Sequence, residues 1–445
     1  MNFDDYQNKT KKYNLLKKVD ILGSFDFYTY IISLESLTEK HISELRKVGQ
    51  TRDLTIEQYE LLVKILPLAV HEYTHFIDTC STLWGLRHLK LMNDAYQSEA
   101  SGKEEMFINA KKFYDYSRCI RLPDYYTLVD SLAENTRPWE SAITIGRIFN
   151  ANGEISSRSV LFSRFTNSKN EFLVRSPIST VSILEASAMA QELITHISLV
   201  SSLREDNRIV EQSNFSKKTI DYLYNSQITE YSVCVHILAN KLQCKDVFSA
   251  FKLCAILTRL VLNFPLSALK TVADKSPIAD ILKIDKGHDF EKAVIDGLNN
   301  GDLGVLFYLL CQVLPDGSHE TKAAAHLVVQ EAIKSLGLDY KVLEDEAREE
   351  AKLLFSEISM SEIPSIALIS KAGYTNFGKI GLNQEKLSFK DLNVPPAILG
   401  DSTEFSIGSP HDNSLSGIDL EKLFNELYRG QSWVERFSEA CVQII

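Results

Sequence analysis

Residues 69–85 read AVHEYTHFIDTCSTLWG, and the periodicity of this stretch decides how the rest of the chain is read. At about 100° per residue, a helix puts His71, His75 and Asp78 on one narrow stripe. Leu66, Val70, Tyr73, Ile77, Cys80 and Trp84 form a second stripe, about 140° away on the same geometry. The apolar stripe anchors the helix on a core and turns the histidines toward something polar. The helix is expected to begin at about Thr55, which caps EQYELLVKIL, and to reach about Leu86. Pro67 either kinks it or opens its second part. Trp84 and Gly85 read as its end.

Working outward, SFDFYTYIISLE (24–35) is aromatic and β-branched and predicts a strand, followed by a polar helix over about 38–48. Residues 86–135 read as helical and surface-like. SAITIGRIF with the turn NANG predicts a hairpin, and SVLFSRF with EFLVRSP predicts a second. After Ser179 the pattern returns to helix and stays so to about Ile366. The stretch 372–418, rich in Gly, Pro, Asn and Ser, predicts irregular structure, and a last amphipathic helix starts at about Asp419. The fold class expected is mainly α with a small antiparallel β-sheet. Three segments follow: a metal-binding region over 1–200 with its hairpins near 142–178, a helical region over 201–370, and an irregular segment with a helix over 371–445.

The 445 residues carry 44% hydrophobic and 24% charged side chains, an ordinary globular balance with enough apolar material for a large core. Acidic residues (59) outnumber basic ones (48), for a net charge of -11. That surface repels phosphate backbones, and pairs such as Lys11-Lys12 and Lys111-Lys112 make no basic patch, so no nucleic-acid partner is expected. The first residues, MNFDDYQNKTKKYN, hold no apolar run of signal-peptide type. FKLCAILTRLVLNFPLSAL (251–269) is the most apolar stretch, but it carries Lys252, Arg259 and Pro265. It suits a buried helix broken near the proline better than a membrane span. Seven scattered cysteines without a C-x-x-C pair suit reduced thiols in a cytoplasmic protein.

The histidine spacing has a chemical reason. Two histidines at i and i+4 sit one turn apart, so both imidazoles can reach one Zn²⁺ at about 2.0–2.1 Å. Glu72, directly after the first, lies beside the metal and can take a proton from the attacking water and pass it to a leaving amine. His71 to His75 is a complete H-E-x-x-H motif. The competing reading is two surface histidines with a coincidental glutamate. Unpaired polar groups inside so apolar a helix would be costly, which favours the metal.

A catalytic zinc usually has three protein ligands. Asp94, in LMNDAYQ, and Glu185, in SILEASAMAQE, are the two candidates for the third, and Glu185 is preferred. It reads as opening a helix of small residues (Ala186, Ser187, Ala188, Ala190) that can pack closely on the metal helix. Its alternative role is an N-terminal carboxylate interacting with the helix dipole. Glu192 and His196 recur on its face as candidates to orient the histidines. Asp78, on the histidine stripe, is a third candidate and reads equally as a solvated acid.

With H-E-x-x-H at 71–75 and E-x-x-A at 185–188, the chain resembles the zincin metallopeptidases of the glutamate-ligand type. The resemblance covers only these motifs. It implies a zincin-like catalytic core, Zn²⁺ held by His71, His75 and Glu185, Glu72 as general base and acid, and a protein or peptide substrate. A strand edge beside the zinc would bind that substrate in extended form, a role open to the 142–178 hairpins. Ser81 and Asp78 exclude the zincin class with a nearby third histidine or aspartate. Met189 stands where a thermolysin-like chain has aspartate, so the subfamily stays open. A small-amide hydrolase using the same residues is one alternative. A scaffold whose helical C-terminal half recruits a regulatory protein partner is the other. His88, His236 and His326 read as ordinary core or surface histidines, and Arg175 as an exposed strand arginine. One of the 18 tyrosines is expected to stabilise the oxyanion.

Overall fold

The structure is a computed structural model that describes residues 22–48, 53–149, 153–317, 325–409 and 412–441. The polar N-terminal stretch with Lys11-Lys12, most of the NANG turn, the side chain of His326 and the last four residues lie outside it. Among the described residues helices account for 63% and strands for 10%, so the protein is mainly α with a small β part.

Strands β1 (Ser24–Phe25) and β2 (Ile32–Leu34) replace the single strand expected over 24–35. The Asp26 carboxylate folds the chain back between them by accepting from the Tyr28 and Thr29 amides at 2.8 and 3.3 Å. Helix α1 (Glu39–Lys47) then leads to α2 (Ile56–Cys80), the histidine helix. Thr55 caps α2 as the sequence predicts: its hydroxyl accepts from the Gln58 amide, and the Gln58 side chain accepts from the Thr55 amide. Pro67 neither ends nor restarts the helix, which runs unbroken past it. Tyr73, Phe76, Ile77 and Cys80 are at most 1% exposed. Burying side chains of this kind is worth roughly 1.5–3 kcal/mol for each large one, which fixes the rotation of α2 about its axis.

The helix stops at Cys80, earlier than expected. Thr82 caps a new helix, α3 (Leu83–Ser101), by accepting from the Gly85 amide at 3.0 Å. A Cβ at Gly85 would sit 2.5 Å from the Asp78 carbonyl, so only glycine lets α3 start so close to the end of α2. Trp84 and Gly85 therefore begin α3 and do not close the histidine helix. Beyond α3 lies α4 (Glu104–Ile120). The expectation of a surface helix fails for α3: Leu86, His88, Leu89 and Met92 are all fully buried.

Strands β3 (Leu128–Val129), β4 (Glu140–Phe149), β5 (Ile155–Thr166) and β6 (Phe172–Pro177) form an antiparallel sheet in the order β3-β6-β5-β4. The two predicted hairpins share β5. The chain continues through α5 (Thr180–Ser201), α6 (Glu205–Leu223), α7 (Thr229–Leu242), α8 (Val247–Leu262) and α9 (Leu266–Lys275). Next come α10 (Ile278–Leu282), α11 (Asp289–Asn299), α12 (Leu303–Val313), α13 (Ala325–Ser335), α14 (Tyr340–Ile358) and α15 (Pro364–Ile380). Strands β7 (Ala397–Leu399) and β8 (Glu404–Phe405) precede α16 (Leu420–Ala440).

The small antiparallel sheet is present as expected, and the structure adds another to it. A second sheet, β1-β2-β7-β8, is mixed, with β2 and β7 parallel through Ser33 opposite Ile398. Its last two strands lie in the stretch read as irregular, whose first residues also belong to α15. Strands β1 and β2 rest on α2, α5 lies along another side of α2, and α7, α8 and α12 back α5. Helices α14 and α16 cover α3. One apolar core runs from Phe25 to Val434, shared by all three expected segments. Among the described residues no single helix is long and apolar enough to cross a membrane. Only α8 and α9 taken together reach that composition, and they are bent by 100° with Pro265 at the break.

Candidate metal centre

Helix α5 owes its position to its sequence. Ser179 caps it, accepting from the Ser182 amide at 3.2 Å, and Ala186, Ser187, Ala188 and Ala190 are all buried against neighbours. Small side chains allow the backbones of α2 and α5 to approach. Because α5 begins at Thr180, Glu185 does not open the helix but lies in its second turn. It is past the unpaired amides where a dipole role would operate. Glu185 is 1% exposed and faces α2.

His71, His75 and Glu185 converge. The Nε2 atoms of the two histidines are 3.2 Å apart, and Glu185 Oε2 lies 3.5 Å from His71 Nε2 and 3.6 Å from His75 Nε2. Donors about 2.1 Å from a tetrahedral ion are about 3.4 Å from each other. The observed triangle therefore has the size a single zinc requires. Glu185 Oε2 is buried and accepts no hydrogen bond, so its lone pairs are free to ligate. Burial pushes the Glu185 carboxyl up, but His75 and His71 hold it below the ordinary range, in its ionised form. Burial works against a charge on His71 as well, yet Glu185, Glu192 and Glu72 push it well up. The pocket's excess of negative charge favours a cation.

Glu72 is 6% exposed, follows His71 in the chain, and lies within the electrostatic reach of all three corners of the triangle. Burial raises its carboxyl, and Glu185 and Glu192 raise it further against the pull of the two histidines. A Cβ placed on Gly23 would lie 3.2 Å from Glu72 Cγ and 3.0 Å from the Ser33 carbonyl. The chain entering β1 thus passes directly over Glu72. The 142–178 hairpins belong instead to the other sheet, which packs on α7, α11 and α12.

The three residues expected to orient the ligands have different fates. Glu192 accepts from His71 Nδ1 at 2.9 Å, leaving Nε2 for the pocket. His196 does not reach the ligands. Eleven residues beyond Glu185 is about 16 Å along a helix, and there His196 bonds the Tyr59 hydroxyl at 3.1 Å and stacks on Phe215. Burial lowers its pKa to about 4. Asp78 is not solvated: it is fully buried in an ion pair with Arg259 of α8, 2.5 Å between Oδ1 and Nη1. Burial raises Asp78 against the lowering from Arg259, Ser187 and His75. Removing one member of such a pair typically costs about 3–5 kcal/mol. The rival ligand Asp94 is bound by Lys90 at 2.5 Å on α3, apart from the histidines.

Two tyrosines not singled out by the sequence feel the charge of the site's carboxylates. Tyr231, at the start of α7, is raised by burial and then by Glu185, Tyr222, Glu230 and Glu72, and Tyr222 by burial and then by Glu185 and Glu192. Their rings meet edge to face with centroids 6.3 Å apart. Only their distance along the chain from the motif hid them. Arg259 did leave a signal, as a cation in the middle of the most apolar run. His88 stacks on Trp84, and His236 bonds the Leu223 carbonyl at 2.9 Å; both are core histidines. Arg175 lies over the Phe162 ring at 4.3 Å. Comparison with protein families, curated proteins and solved structures returns no match for this chain. The reading of the site therefore rests on its own geometry.

Proposed function

We propose that the protein is a zinc-dependent metallopeptidase in which His71, His75 and Glu185 hold the metal. The observation that carries this reading is the triangle of donors at 3.2–3.6 Å with Glu72 beside it. Zinc in that position would polarise the scissile carbonyl and make water a competent nucleophile near neutral pH. Glu72 takes the proton from the attacking water and delivers it to the nitrogen as the carbon–nitrogen bond breaks. Glu192 keeps His71 in the tautomer that leaves Nε2 free. The substrate lies extended along β1, which pairs only with β2 among the described residues and passes over Glu72. Seven unpaired cysteines fit a cytoplasmic setting.

One feature favours a second reading. His75, Glu185 and Glu72 are at most 6% exposed, an enclosure that suits a small amide as well as a peptide. The test is a comparison of proteins cleaved in cells carrying the wild type or Glu72→Gln, with zinc content measured on both. The peptidase reading expects cleavage to vanish in the variant at unchanged zinc content. Cleavage that survives the substitution refutes it and leaves the partner-recruiting scaffold. Intact proteins with hydrolysis of small acyl amides favour the second reading.

A further inference from the structure

We infer that Asp78 and Arg259 are a positioning pair that sets the tautomer of His75 and thereby the strength of the metal site. The inference rests on the metal-centre reading above. The two histidines are supported unequally. His71 has Glu192 on its Nδ1, whereas His75, with its Nε2 toward Glu185 and His71, turns Nδ1 back into the protein, buried and without a hydrogen-bond partner. The buried Asp78 carboxylate on α2 is within reach of the His75 charge, and the buried Ser187 hydroxyl of α5 lies beside that same carboxylate.

One Asp78 oxygen is taken by Arg259, which comes from α8, 181 residues further along the chain. Arg259 is 1% exposed and surrounded by apolar neighbours on its own helix. A guanidinium keeps its proton under all ordinary conditions, so it holds Asp78 as a carboxylate in surroundings that would otherwise neutralise it. An imidazole next to a fixed negative charge prefers its N–H on the near side. With Asp78 one turn beyond His75 and on the same stripe, the near nitrogen is Nδ1. The lone pair is then left on Nε2, where a metal needs it. A mere tie between α2 and α8 would serve equally well with both charges removed.

The test uses the full chain and the metal alone. Asp78→Asn combined with Arg259→Gln replaces the ionic pair by a neutral hydrogen-bonded one. Zn²⁺ affinity is read by competition with a chromophoric chelator, and ligand geometry from the Co²⁺ absorption spectrum. The inference expects near wild-type melting with zinc binding weakened about 10–100-fold and an altered Co²⁺ spectrum. Wild-type affinity and spectrum in the double variant overturn it. Should that variant not fold, nitrogen-15 shifts of His75 in the unsubstituted, metal-free protein decide: Nδ1–H supports the inference and Nε2–H overturns it. A wild type that binds no zinc sinks the metal reading instead, and the His75 tautomer remains measurable.

Discussion

Replacing Asp26 by asparagine tests the turn that places β1 over Glu72. Asp26 is 2% exposed, Oδ1 accepts from two amides, and Oδ2 is buried without a partner. Burial raises its pKa from 3.8 to about 6, against the lowering from Tyr28 and Thr29. The folded protein therefore binds this proton more tightly than the unfolded chain, and stability falls as pH rises between those two values and is level above. At about 1.4 kcal/mol per pH unit, the loss is about 3 kcal/mol. Asparagine keeps the accepting oxygen and cannot ionise. Its buried amide costs something, but equally at every pH. The assay is urea unfolding of both proteins from pH 4 to pH 8, taking the difference between them. That difference should move by about 2.4 kcal/mol in favour of the variant between pH 4 and pH 8, most of the full loss of about 3 kcal/mol. A difference that stays flat refutes the buried, weakly compensated carboxylate, and with it this account of the turn.

Two further outcomes are expected. Glu192→Gln, which weakens the charge-assisted bond to His71 Nδ1, should lower zinc affinity about 10–100-fold in chelator competition while the melting temperature barely moves. Gly23→Ala puts a methyl group 3.2 Å from Glu72 Cγ, so it should depress kcat while zinc stoichiometry stays unchanged. Loss of zinc there would mean that the strand supports the ligands and not Glu72.

The sequence makes local regularity readable and leaves long-range pairing dark. The Thr55 cap, the apolar stripe of α2 as far as Cys80 and the strands β4, β5 and β6 are nearest-neighbour patterns, and they appear in the structure; the stripe's last member, Trp84, falls on α3. The triangle was reachable because H-E-x-x-H fixes two corners and small residues around Glu185 signal close helix packing. The second sheet was not legible: β7 and β8 are three and two residues long and join β2 from the far end of the chain. Asp78 looked free because its partner sits on α8. His196 illustrates the opposite failure, since sharing a helix face with Glu185 says nothing of how far along that face the metal lies.

The most direct test of the central claim is a crystal structure of the zinc-loaded protein with anomalous data at the zinc edge. The account predicts one strong peak within about 2.0–2.2 Å of His71 Nε2, His75 Nε2 and Glu185 Oε2. A peak elsewhere, or none at full zinc loading, would contradict it.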